Sequence, residues 1–369
     1  MPIRHKAAEI PTSYATCSIG YRESHTLPLK LKAIADAGFD AVELSMPDIL
    51  AYGKMLNGTE PDPTDYDTLV EIGTAIKGQM VEHGLEVMML QPFANFEGWP
   101  KGSPEREDAF ARARGWMRVM EAVGTDLLQV GSSDAPGIAG ASFDDMAADL
   151  AELADLLAAK GFRVAYENWC WATRAPAWKD VWDLVQKADR PNLGLCLDTF
   201  QSGGGEWADP TTRTGLVEAE VVGGGAGTDE GEGEGAGAGE GETRRPMYRA
   251  QVEQRWSESL AELVVTVPAA KIFLLQISDA YKMDPPLADE VDAESGLRPR
   301  GQWSHDHRPL PYDGGYLPVR EFLNAVLDTG FRGYLSMEVF DPKGQERRYP
   351  DMGAYAKKAM DGLEKLLVA

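Results

Sequence analysis

Soft metal ligands and basic residues are what this chain has least of. Its 369 residues include three cysteines and five histidines. Cys17, Cys170 and Cys196 are odd in number and sit in apolar runs, which excludes a disulfide framework and fits unpaired thiols in a reducing compartment. No run of about 18 apolar residues occurs, so no membrane span is expected, and no basic segment leading into an apolar one marks a secretory leader. A cytoplasmic location is the resulting expectation. Lys and Arg total 36 against 59 Asp and Glu, a net charge of −23. A surface of that sign repels a phosphate backbone, so a nucleic-acid partner is excluded. Part of the excess is local, since residues 223–242 contain six acids and no base.

What the chain does have is a core-forming composition, 43% hydrophobic, laid out in a strand-then-helix rhythm. After a polar N-terminal arm (1–13), YATCSIG (14–20) reads as a first strand and TLPLKLKAIADAG (26–38) as an amphipathic helix closed by Gly38. Further strands are predicted at 41–46, 85–93, 127–134, 163–169, 193–198, 271–278 and 333–340. Helices are predicted at 65–84, 104–124, 142–161, 175–188, 248–267, 317–330 and 352–367, with Ser142 and Asp145 resembling a capping box. Eight strands, each followed by a crossover helix, point to an α/β fold, a single closed (β/α)8 TIM barrel over 14–369 rather than an open sheet. Residues 222–245 are glycine, alanine and acid, with too little apolar surface to offset the entropy of ordering them. They predict a disordered insertion in the sixth βα unit. The long segment from Ala280 to Tyr316 lies on the active-site face and is a candidate lid.

Four strand-like runs end in oxygen donors. GLCLDTFQSGGG stops at Asp198 and opens into a glycine-rich stretch; RVAYENW ends at Glu167, KIFLLQISD at Gln276 and GYLSMEVFD at Glu338. One such acid is as well explained by helix capping or a nearby base. Four on consecutive strands of a barrel converge on one mouth. That all-oxygen set suits Mg²⁺ or Mn²⁺, with Co²⁺ or Zn²⁺ as the alternatives. A cation there stabilises an enediolate, so isomerisation, epimerisation and dehydration of a β-hydroxy ketone all come within reach. Glu167 and Glu338 are the candidate bases. His305 and His307, in SHDHRP, are candidates for proton transfer, against the plainer reading of solvated loop histidines. Arg308 beside them either grips a substrate carboxylate or faces water. Glu43, Gln91, Asn95, Trp99, Trp169 and Gln201 follow or end strands and are candidates to bind substrate, a small polyol or keto acid. Homo-oligomer formation stays open.

The motifs QPFANFEGW (91–99), YENW (166–169), LCLDTFQ (195–201), LLQISD (274–279) and SMEVF (336–340) resemble those of the xylose isomerase-like TIM barrels, and look most like the 3-dehydroshikimate dehydratase branch. The resemblance runs from the second strand to the eighth and leaves out the acidic insertion. It implies a divalent metal held by Glu167, Asp198, Gln276 and Glu338. In two places the chain departs from the pattern. Ala94 and Asn95 stand where such dehydratases carry Arg and Asp, and Gln201 stands where they carry His. The resemblance therefore implies a metal-dependent lyase, with a sugar or cyclitol isomerase or epimerase and a non-catalytic binding barrel as alternatives.

Overall fold

A computed structural model describes residues 10–218 and 240–368, with the backbone alone for 240–247. Eight parallel strands close into a barrel in sequence order: β1 (Thr12–Ala15), β2 (Ala41–Ser45), β3 (Glu86–Phe93), β4 (Leu127–Gly131), β5 (Arg163–Glu167), β6 (Leu193–Asp198), β7 (Ile272–Ile277) and β8 (Tyr334–Met337). Around it lie α1 (Leu27–Asp36), α2 (Met46–Asn57), α3 (Tyr66–His83), α4 (Pro104–Val123), α5 (Phe143–Ala158), α6 (Trp178–Ala188), α7 (Thr199–Glu206), α8 (Glu240–Thr266), α9 (Pro299–Asp306), α10 (Val319–Asp328), α11 (Pro342–Arg348) and α12 (Met352–Val368). The expected (β/α)8 barrel is the fold.

Several boundaries differ from the sequence expectation. β1 begins at Thr12, because Thr12 and Ser13 pair with β8 and Ser13 with β2; the anticipated arm therefore ends earlier and the first strand is not 14–20. α2 starts directly after β2, where no helix was expected: Ser45 caps it by accepting from the Asp48 N–H, and Gly58 ends it in the left-handed region. The glycines after Asp198 form the helix α7, not an open loop, since the Asp198 carboxylate caps it. Within the candidate lid sits α9, and α8 begins inside the last residues of the anticipated insertion. The rest of that insertion, 222–239, lies outside the described residues, as does 1–9 of the arm.

Strand periodicity explains the barrel interior. Ala41, Met89, Leu127, Ala165, Cys196 and Leu274 belong to a small buried cluster separate from the main core. Residues two further along each strand share its face: Glu43, Gln91, Gln129, Glu167, Asp198 and Gln276. Ladder register sets Asp198 opposite Gln276 and Gln276 opposite Ser336, while Glu167 pairs with Cys196, one inward position before Asp198. Ser336 is followed two residues on by Glu338, just past β8. An apolar plug thus lies beneath a polar layer at the C-terminal end of the barrel, the end at which barrel enzymes carry their chemistry.

Candidate functional site

Glu167, Asp198 and Glu338 each offer a carboxylate oxygen, all within 4.8 Å of one another, and all three side chains are buried. Asp198 splits its two oxygens: Oδ1 accepts from the Phe200 N–H at 2.6 Å, and Oδ2 from Arg308 Nη2, also at 2.6 Å. Glu167 Oε2 accepts from the Gln129 amide, while its Oε1 is buried without a hydrogen-bond partner. Glu338 Oε1 lies 3.4 Å from Gln91 Nε2, and its Oε2 lies 3.0 Å from Arg308 Nη2. Burial, reinforced by the Asp198 charge, pushes the Glu167 carboxyl up to about 8. Burial also raises Asp198 and Glu338, with Arg308 opposing both shifts. Three acids crowded this closely hold protons more tightly than usual until a cation shares their charge.

Arg308 does not face water. It is 1% exposed, and its guanidinium lies between the rings of Phe200 and Phe340, 4.6 and 5.2 Å from their centroids. Nε donates to Ser278 Oγ at 3.1 Å and Nη2 to the Glu338 carbonyl at 2.9 Å. Every direction is thereby constrained.

Above these groups opens a cleft of about 260 Å³. Gln91, Asn95, Trp169, Gln201, His305, Arg308 and Glu338, all sequence candidates, are among its lining residues, together with Gln129, Asp134 and Trp171. Trp169 stacks on Trp171 at 5.3 Å and lies over Gly131, where a Cβ would come within 2.2 Å of the indole. Asn95 adopts φ +53°, and its Oδ1 accepts from Ser133 Oγ at 2.9 Å. The Gln201 amide oxygen accepts from the Cys170 N–H at 3.0 Å, which ties α7 to the loop after β5. His305 Nδ1 lies 2.7 Å from the Gly301 carbonyl. A carbonyl only accepts, so Nδ1 carries the proton and Nε2 is the nitrogen left to exchange one. The lid helix α9 is tied across the mouth: Arg298 donates to the Trp171 carbonyl (2.6 Å) and Arg300 to the Gly204 carbonyl (2.8 Å).

Three candidates stand elsewhere. Trp99 is half-buried outside the cleft, its Nε1 donating to the Asn95 carbonyl. His307 is half-buried and lines no part of the cleft. Glu43 lies below it, fully buried, accepting from Gln276 Nε2 at 2.8 Å. Gln276 therefore spends its amide nitrogen on Glu43, while its oxygen lies 3.2 Å from the Cys196 thiol.

Glu97, in the loop after the third strand, was given no role from the sequence. It is fully buried and accepts from the Ser133 N–H (2.7 Å) and the Tyr166 hydroxyl (2.8 Å), bracing the loops after β3 and β4. Burial pushes its carboxyl from 4.5 up to about 7. The folded form thus keeps a proton that the unfolded chain has already released, and the stability this gives below pH 4.5 is lost as pH rises through 7. Glu97→Gln, which keeps an acceptor there, is expected to flatten that loss by about 3 kcal/mol at pH 8. Urea midpoints of both proteins at pH 5 and pH 8 measure it; parallel pH dependence in the two would refute it.

A cation-sized convergence of three buried carboxylates, one with a partnerless oxygen, fits a hard divalent metal. Residues 31–366 match the family model described as xylose isomerase-like TIM barrel. A 3-dehydroshikimate dehydratase of Neurospora crassa is 30% identical over 87% of this chain and 83% of its own length. One of Pseudomonas aeruginosa is 31% identical over 96% of this chain, which spans 41% of that longer protein. Among solved structures, the IOLI protein with a bound zinc atom superimposes with a TM-score of 0.62 at 15% identity, covering 97% of each chain, a likeness of fold.

Proposed function

The chain belongs to the xylose isomerase-like TIM barrel family, and from that premise we propose that it is a divalent-metal-dependent dehydratase acting on 3-dehydroshikimate. The observation that carries the reading is the trio Glu167, Asp198 and Glu338, buried at three strand ends beside a cleft sized for one small ring. The curated relatives named 3-dehydroshikimate dehydratase support the substrate.

Glu167, Asp198, Glu338 and Gln276 would hold the metal, Mg²⁺ or Mn²⁺ by the hardness of the donors. When bound, it supplies Lewis-acid polarisation of the substrate carbonyl, which acidifies the neighbouring C–H. The remaining steps belong to the chain. Trp169 and Trp171 flank the ring and exclude water, and Asn95 and Gln201 offer amide groups to its hydroxyls. Glu338 receives the proton at a carboxylate oxygen. His305 Nε2 hands a proton to the departing hydroxyl from the lid side, in place of the histidine that Gln201 replaces. Loss of water from a hydroxylated cyclohexenone acid leaves an aromatic acid. Arg308, committed to Asp198, Glu338 and Ser278, balances the charge of the trio rather than taking the place of an arginine at Ala94.

The test is a spectrophotometric assay on 3-dehydroshikimate with Mn²⁺ or Mg²⁺ supplied. Ultraviolet absorbance of an aromatic product is expected to rise with metal and to stop when EDTA is added. Conversion of keto-sugars without loss of water, and no absorbance change on 3-dehydroshikimate, would replace this reading with the isomerase one.

A further inference from the structure

Glu43 takes no part in the steps above, yet it is a fully buried acid inside the barrel. It sits on β2, across the barrel from the trio, and its Oε2 takes a 2.8 Å hydrogen bond from Gln276 Nε2. Burial pushes its carboxyl up to about 7, and the hydrogen bond from Gln276 pulls the other way. A side-chain amide has two ends of nearly equal size and opposite character. Only the oxygen has lone pairs to give a cation; the NH₂ end turned toward one would repel it. Something must therefore decide which end faces which way, and Glu43 in its ionised form, which only accepts, can take only the NH₂ end.

We infer that Glu43 is a positioning residue for Gln276, holding its amide nitrogen so that Oε1 is the end available to a divalent cation. The inference rests on the metal-dependent reading above. Glu43 stands to Gln276 as the outer carboxylate stands to a metal-binding histidine: it fixes the ligand's orientation and, by accepting its N–H, draws electron density toward the donor atom. The Cys196 thiol at 3.2 Å from Oε1 is a weak donor and leaves the oxygen a lone pair. A histidine in place of Gln276 would need the same carboxylate beneath it.

The experiment measures Mn²⁺ affinity by chelator competition, without substrate, for the wild type, Glu43→Met and Glu43→Gln. Glu43→Met removes the acceptor and is expected to weaken Mn²⁺ binding about 10- to 100-fold. The melting temperature without metal is expected to stay level or rise, since a buried carboxylate with one partnerless oxygen disappears. Glu43→Gln keeps a carbonyl oxygen for Gln276 and is expected to recover most of the affinity. Glu43→Ala gives the same reading should the methionine variant misfold. Wild-type affinity in Glu43→Met, or a loss in Glu43→Gln as large as in Glu43→Met, overturns the positioning role while leaving the metal site standing. A wild type that takes up no Mn²⁺ overturns both.

Discussion

Arg308→Met is expected to lower the stability of the metal-free protein by about 3–5 kcal/mol. The guanidinium reaches Asp198 Oδ2 and Glu338 Oε2 together, and all of these groups are buried. Methionine fills much of the volume between Phe200 and Phe340 but carries no charge, so two acids, with Glu167 within 4.8 Å, lose their counter-charge in a dry interior. Part of the strain is relieved by protonation, so the deficit should be larger at pH 8 than at pH 6. Mn²⁺ should also raise the melting temperature of the variant by more than it raises that of the wild type, because the cation supplies to the acids what the arginine no longer does. Urea unfolding in EDTA, repeated with saturating Mn²⁺, measures both effects. A variant within 0.5 kcal/mol of the wild type in EDTA would mean that the trio needs no internal cation, and the electrostatic account of the site would fall with it.

Glu338→Gln is expected to lower kcat by about 10³-fold or more while leaving the fold intact. The substitution keeps the size of the side chain and an oxygen for Gln91 Nε2, yet it removes both the anionic donor and the group that takes the proton. Removing one of three crowded negative charges should not destabilise the chain, even though the tie to Arg308 weakens. The informative result is therefore a split: an unchanged or raised melting temperature with turnover nearly abolished at saturating metal and substrate. Retention of a tenth or more of wild-type kcat would remove Glu338 from the chemistry and shift the proton to Glu167 or His305.

The barrel and its acids were readable in the sequence for one physical reason. A buried parallel strand has to be apolar, so a polar residue at its end is conspicuous, and Glu167, Asp198, Gln276 and Glu338 stood out in that way. Gln129 obeys the same rule, two residues beyond Leu127 on the inner face of β4, and the alternation in LLQVG carried the signal. Its hydrogen bond to Glu167 was beyond reach, because it depends on the ladder register between β4 and β5. The burial of Arg308 was hidden too. SHDHRP reads as a polar surface loop until Phe200 and Phe340, more than 100 residues and about 30 residues away in the chain, close on either side of the guanidinium. α2 and α7 escaped notice because their caps, Ser45 and Asp198, are also strand ends, and the glycines that follow Asp198 look like loop residues without the cap that holds them helical.

Because Asp198 serves α7 with one oxygen and the arginine with the other, it couples the centre of the barrel mechanically to the rim. A pull on that carboxylate is passed to the first turn of α7, from there through the Gln201 amide to the Cys170 backbone, and so to the loop bearing both tryptophans of the wall. An amide at 198 has a single oxygen and must desert either the helix or the guanidinium. Asp198→Asn would therefore disturb the shape of the substrate wall along with the charge at the centre, and a loss of activity in that variant reports on both at once.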